Sequence, residues 1–308
     1  MDHSVSRPIL VTGMPRSGTT WVGRMLCAGG AAGYLHEPFN LAKAPGMLHL
    51  PAQHWFEYVC AENEELYLSR IRALLRFRYP LAREVTRCRT RAELRWTVDM
   101  WRCFRASRGR RPLAKEPYAV FSAEWFGDRL GSDVIVTVRH PAAVVASWKR
   151  LGWNVDFGQL LDQPLLMRDR LRGFVHELEA ARAAEPNVVV RVALLWRLIY
   201  SVVSEYCDRR PAFRVVRQED LSRDPLGEFR RLYEAVGLPF TSEAAEAVTT
   251  SSARTNPKET TTEDPHQTQL DSAANLEAWR SRLTADECAR IREITEETAR
   301  RYYPKIEW

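Results

Sequence analysis

The chain has 308 residues, 45% of them hydrophobic and 27% charged; this is the balance of a globular protein with a real core, and it excludes collagen-like, mucin-like and wholly disordered chains. Its net charge of +6 draws on 40 Arg but only 5 Lys and is uneven: between Arg70 and Arg111 there are 14 Arg and 3 acids, a local +11 that leaves −5 for the rest. No run of 18 apolar residues occurs and the opening MDHSVSRP has no apolar signal core, so stable membrane insertion is not expected and the cytoplasm is the expected location.

Residues 8–12 (PILVT) predict a short buried strand running into a glycine-containing turn, and 19–28 a helix. A second short strand is expected at 33–36, stopped by Pro38, because a residue before proline is pushed toward extended geometry. Residues 40–51 read as loop. From 54 to 106 the pattern is helical and Arg-rich, broken near Pro80. A strand is expected at 113–115, a helix at 121–130, and the strongest strand at 133–138 (DVIVTV), apolar and β-branched as in a buried parallel sheet. Pro141 suits the first turn of a helix reaching Lys149. Two long helices are expected at 158–184 and 192–209, then a strand at 213–217. Asp224 and Pro225 read as the N-cap and first residue of a helix stopped by Gly237 and Pro239. Residues 251–275 are polar, Thr-rich and aperiodic, hence a long loop of the kind that is usually functional. Thr284 to Glu287 form a capping box opening a last helix to about residue 302. Strands alternating with helices give one α/β domain over 1–308, a parallel sheet flanked by helices with a helical insertion at about 54–111.

The six cysteines are scattered without a CxxC pair and the seven histidines form no HExxH; neither disulfides nor a metal site is expected. The basic 70–111 segment attracts anions. Most of its Arg read as a solvated face and a few as a wall beside an anionic ligand. No nucleic-acid motif accompanies it.

Gly13 to Thr20 (GMPRSGTT) lies between the first strand and the first helix, with the GxxxxG spacing of a phosphate loop. Backbone N–H groups of such a turn, and the positive end of the helix, cradle an anion. Ser17, Thr19 and Thr20 add hydroxyls. The departure from a nucleoside-triphosphate site is informative. Lys is missing after the second glycine, where Thr19 stands, and the cation has moved into the loop as Arg16. The best later strand ends in Val138-Arg139, without the Asp that would hold Mg²⁺ through water. A sulfuryl group carries one negative charge where a terminal phosphoryl carries about two, so cationic side chains can replace the metal.

On these residues the sequence resembles the sulfotransferases that use 3′-phosphoadenosine 5′-phosphosulfate (PAPS). PRSGTTW, Pro15 to Trp21, looks like their 5′-phosphosulfate loop, and VTVRHPAAVVASW, Val136 to Trp148, like their 3′-phosphate segment, with Arg139 at the strand end and Ser147 eight residues on. The resemblance implies a P-loop-like fold, with the cofactor (PAPS, or its product PAP) held by Arg16, Ser17, Gly18, Thr19, Thr20, Arg139 and Ser147. His36-Glu37-Pro38 matches the place of the catalytic glutamate in carbohydrate and tyrosine sulfotransferases. Ala114-Lys115-Glu116-Pro117 resembles a motif whose lysine lies beside the transferred group. The histidine pattern of the cytosolic phenol and steroid enzymes is absent. Looser likenesses are Glu219-Asp220-Leu221 with Pro225, and Leu276 to Leu283, the loop before Trp279 covering the cofactor in the family. The implied reaction is sulfuryl transfer to a hydroxyl of a small-molecule or glycan acceptor, with Glu37 as base, Arg16 and Lys115 stabilising charge, and no metal. The alternatives are a P-loop small-molecule kinase and a non-catalytic nucleotide- or polyanion-binding protein. Tyr34, Trp55, Phe56, Trp96, Trp101 and Trp153 are the aromatics that could line an acceptor pocket.

Overall fold

The computed structural model describes residues 7–42, 50–260, 267–306 and 308. Five parallel strands, β1 (Ile9–Gly13), β2 (Ala32–His36), β3 (Arg111–Lys115), β4 (Asp133–Val138) and β5 (Arg214–Arg217), form one sheet in the order β2-β3-β1-β4-β5. Ile9 pairs with Leu113 on one side and Asp133 on the other, so β1 is central. Parallel strands need crossovers, and these place helices on both faces. Ile9, Val11 and Ile135 pack with Trp21, Phe229 and Tyr233 on one face; Leu10, Val134 and Val136 pack on the other with Trp196, Ile199 and Tyr200. This two-sided burial is why the strands read as continuous apolar runs.

The first helix spans Thr19–Ala28, and the helix after β4 spans Pro141–Leu151, as expected. Both predicted caps form: Asp224 accepts from the Gly227 N–H at 3.0 Å, and Thr284 and Glu287 make the reciprocal capping box. Four expectations need correction. The Arg-rich insertion is helical only at Leu68–Leu75, Leu81–Val85 and Arg91–Ser107, apart from a 3₁₀ turn at Glu64–Leu66. The helix expected from 121 starts at Ala123, after a 3₁₀ turn at Pro117–Ser122 capped by Glu116. The single helix expected at 158–184 is three pieces, Gly158–Leu161, Pro164–Asp169 and Val175–Ala183. Pro164 lacks the N–H an uninterrupted helix requires and opens a new one instead. Finally, Ser242–Ser251 is a helix, capped by Thr241, so the polar loop begins a residue later than expected; residues 261–266 of that loop lie outside the described residues.

Candidate active site

The carboxyl ends of β1, β2, β3 and β4 meet at one cleft, lined by Arg16, Gly18, Thr19, Thr20, Glu37, Tyr118, Arg139, Trp153, Gln218, Thr260 and Asn275 among others. The loop after β1 is shaped by two glycines. Gly13 has φ +136° and a Cβ there would lie 2.4 Å from the Thr137 carbonyl; Gly18, at φ +100°, caps the first helix without a side chain. Among the described residues no side chain therefore takes the leading N–H groups of Thr19–Ala28, and they face the cleft that Gly18, Thr19 and Thr20 line. The loop's other polar groups are tied down: Trp148 Nε1 donates to the Pro15 carbonyl at 3.1 Å, and the Met14 N–H donates to Tyr200 Oη at 3.3 Å. Ser17 departs from expectation. Its hydroxyl donates to the Met14 carbonyl at 2.6 Å and lies 2.6 Å from Thr137 Oγ1, under the loop rather than in the cleft. Ser17 supports the turn from below.

The cationic part of the site is a cluster. Arg16, itself at φ +78°, donates from Nε to Ser147 Oγ at 3.0 Å and from Nη2 to Thr260 Oγ1 at 3.1 Å. Arg139 donates to the Arg16 carbonyl at 3.3 Å and to Asn275 Oδ1 at 3.2 Å. Arg150 donates to the Thr260 carbonyl and hydroxyl, both at 2.8 Å. Burial, followed by the charges of Arg139 and Arg150, pulls the Arg16 guanidinium down to about 10. Burial also lowers Arg139, with Glu219 acting in the opposite sense. Self-repelling buried cations of this kind are stabilised by an anion. Ser147 does not line the cleft directly and reaches it through Arg16. The looser C-terminal likenesses also converge here. Glu219 accepts from the His140 N–H at 2.8 Å, and Trp279 stacks on the His140 ring at 5.0 Å, holding the turn after Arg139.

The acidic part lies at the end of β2. Glu37 is buried at φ +43°, and its backbone N–H donates to the Lys115 carbonyl at 2.9 Å. Its carboxylate is ion-paired with Lys115 and accepts from Asn40 Nδ2 at 2.7 Å, with His36 Nε2 at 4.0 Å. Burial alone would raise the Glu37 carboxyl; the charge of Lys115, then that of His36, and hydrogen bonds from Lys115 and Asn40 prevail and hold it below the usual range. Burial likewise lowers the Lys115 ammonium, which Glu37 partly restores. Lys115, expected beside the transferred group, does not line the cleft: it is fully buried and touches it only through Glu37. Among the described residues, Arg16 and Glu37 are two of the four non-glycine positions with positive φ, the kind of strain that collects at functional sites.

Sequence reasoning missed Glu116, Tyr118, Thr260 and Asn275. Glu116 is fully buried; its carboxyl accepts from the Phe39 N–H at 2.6 Å and the Tyr118 N–H at 3.1 Å, linking the Glu37 turn to the wall opposite. Burial, then the charge of Glu37, pushes it up to about 8. Of the expected aromatics, Trp153 lines the cleft, and Trp55 and Phe56 pack on Tyr118 at 4.5 and 5.5 Å. Trp96 is instead an exposed residue of the Arg-rich insertion, and none of the Arg from 70 to 111 lines this cleft. Among the described residues no group of three or more His, Cys, Asp or Glu could hold a metal ion, and no helix is long and apolar enough to cross a membrane.

A central parallel strand, an uncapped helix N-terminus after a glycine turn and cations converging there define an anion-binding α/β fold of the phosphate-loop kind. The profile of the sulfotransferase family matches residues 8–242, and the chain belongs to that family; it is a sulfuryl-transferring enzyme. Similar solved structures include the sulfotransferase domain from the curacin biosynthetic pathway (15% identity, 93% of this chain and 96% of that one, TM-score 0.48). Others are the sulfotransferase domain of the Synechococcus PCC 7002 olefin synthase (20%, 97% and 97%, 0.46) and mouse sulfotransferase SULT7A1 complexed with PAP (12%, 96% and 85%, 0.43). Among curated proteins none matches.

Proposed function

We propose that the chain transfers a sulfuryl group from PAPS to a hydroxyl of a small-molecule or glycan acceptor, with Glu37 as general base. The observation that carries this reading is that a buried carboxylate, ion-paired with Lys115, opens into the same cleft as the phosphate loop and the arginine cluster. A carboxylate beside an anion-binding site is opposed by like-charge repulsion, and Lys115 offsets that cost.

The residues present fit such a donor. The leading N–H groups of the helix Thr19–Ala28, with Thr19 and Thr20, would take the 5′-phosphosulfate; Arg139, with Ser147 acting through Arg16, would take the 3′-phosphate. PAPS supplies the activated sulfuryl group. Glu37 accepts the proton released as the acceptor oxygen bonds to sulfur, a role worth about 10²–10⁴ in rate. Arg16 and the loop N–H groups stabilise the charge that develops on the departing phosphate. Lys115 acts through Glu37, keeping it ionised and oriented. Tyr118 and Trp153 form the apolar rim where an acceptor enters.

The test has two parts. Thermal shift with PAP, ATP-Mg²⁺ and heparin asks which ligand the folded state prefers; a large shift with PAP alone is expected, and a shift with ATP-Mg²⁺ alone would replace this reading with a kinase. Mass spectrometry of metabolite mixtures incubated with enzyme and PAPS then seeks a product heavier by SO₃.

A further inference from the structure

The insertion carries a second cavity of about 320 Å³, lined by Leu50, Pro51, Leu74, Pro80, Glu84 and four arginines, Arg70, Arg78, Arg83 and Arg87, and it shares no residue with the cleft. Its floor is apolar, Leu50 and Leu74 being 2% and 7% exposed. Its rim is cationic. Among the described residues only Arg87 of these four has a carboxylate partner: Glu84, 3% exposed, holds it at 2.8 Å. Among the described residues Arg70, Arg78 and Arg83 pair with no acid, although most arginines elsewhere in the chain do. Four like charges gathered around a concavity that holds a single carboxylate, already paired with Arg87, repel one another, and a bound anion relieves that repulsion. Arginine presents a planar fork matched to oxyanions, and the 70–111 segment uses Arg and no Lys.

We propose that this cavity is an anion site separate from the nucleotide cleft, taking a phosphate monoester, which carries about two negative charges, on an apolar stem. One carboxylate cannot satisfy three unpaired guanidiniums, which sets the charge; the Leu50–Leu74 floor sets the stem. Glu84 is already committed to Arg87 and serves to orient it. The wall adjoins the catalytic turn, since the Leu50 N–H donates to the Pro38 carbonyl at 2.9 Å.

The probes are inorganic pyrophosphate, hexyl phosphate and phosphatidylcholine vesicles containing phosphatidic acid. Binding is measured by calorimetry or co-sedimentation on the full chain, on Arg78→Ala/Arg83→Ala and on Arg16→Ala/Arg139→Ala. Arg78 and Arg83 are exposed, while Arg16 and Arg139 hydrogen-bond within the cleft, and a melting curve for each variant checks folding. Hexyl phosphate is expected to bind, to weaken at least about tenfold in Arg78→Ala/Arg83→Ala, and to be unchanged in Arg16→Ala/Arg139→Ala. Vesicle binding alone, lost in the first variant, would support the site with a lipid headgroup as its source. Binding lost only in Arg16→Ala/Arg139→Ala, vesicle binding indifferent to both variants, or no binding of any probe would each overturn the proposal.

Discussion

Arg16 and Arg150 share one acceptor, the Thr260 hydroxyl, at 3.1 and 2.8 Å. The neighbouring Glu259 carboxylate is ion-paired with Arg282 and lies 4.0 Å from Arg150. A loop segment rich in oxygens thus sits where the arginines converge, and it competes with any anionic ligand for them. Glu259→Gln removes the charge from that competitor while keeping its shape. PAP affinity is expected to rise about two- to fivefold, the worth of a partly exposed ion pair. Calorimetry at fixed salt decides it, and a weaker PAP complex would instead make Glu259 a supporting residue of the bound state.

Arg139 is expected to read the 3′-phosphate. Arg139→Ala should weaken PAP binding by about 1.5–3 kcal/mol, the value of a charge-assisted contact, and leave adenosine 5′-phosphosulfate almost untouched because it lacks that group. An equal loss for both ligands would remove Arg139 from that role.

Glu37→Gln keeps the shape of the side chain but cannot take a proton. The kcat is expected to fall about 10²–10⁴ with little change in PAP affinity. The same change strands the Lys115 ammonium in a fully buried site, at a stability cost of as much as about 3–5 kcal/mol. Glu37→Gln/Lys115→Met should recover most of that stability and none of the activity. Denaturant melts and kcat of the two proteins separate the roles; recovery of activity in the double variant would rule out Glu37 as base.

Glu116 makes stability depend on pH. Its carboxyl is held at about 8 in the folded chain against an ordinary 4.5, chiefly by burial and then by Glu37. Between those values the folded state keeps a proton that the unfolded state has released. The stabilising contribution is therefore complete below the unfolded value and is lost as pH rises through 8. The melting temperature of the wild type is expected to fall from pH 5.5 to pH 8.5 more steeply than that of Glu116→Gln, which cannot titrate. Parallel slopes for the two proteins would contradict the protonated state.

Much of this site is legible because its parts are local. Gly13, Arg16 and Gly18 lie in one turn between a strand and a helix, so spacing suggests one anion site, whereas Arg139, at the end of the strongest strand, reads as a second only through the family resemblance. What spacing does not give is which way a side chain faces. Ser17 sits among cleft residues yet turns under the loop to Met14 and Thr137, and Lys115 reaches Glu37 rather than the cleft because β2 and β3 are neighbours. Thr260 and Asn275 come from an aperiodic loop, and their position depends on tertiary contacts with Arg16, Arg150 and Arg139 that no local pattern encodes. The breaks in 158–184 were different: Pro164 and Gly173 carry the signal, and helical composition around them masks it.

Strand order has a temporal consequence. The central strand is the first in sequence, and its two neighbours arrive about 100 and 120 residues later. The insertion helices can form from nearby residues, whereas Arg16, Lys115 and Arg139 meet only after the most distant strand pairings close. Such non-local pairing is slow. During refolding, helical signal should therefore appear well before the cleft closes, and the nascent chain remains without its arginine cluster until β4 has left the ribosome.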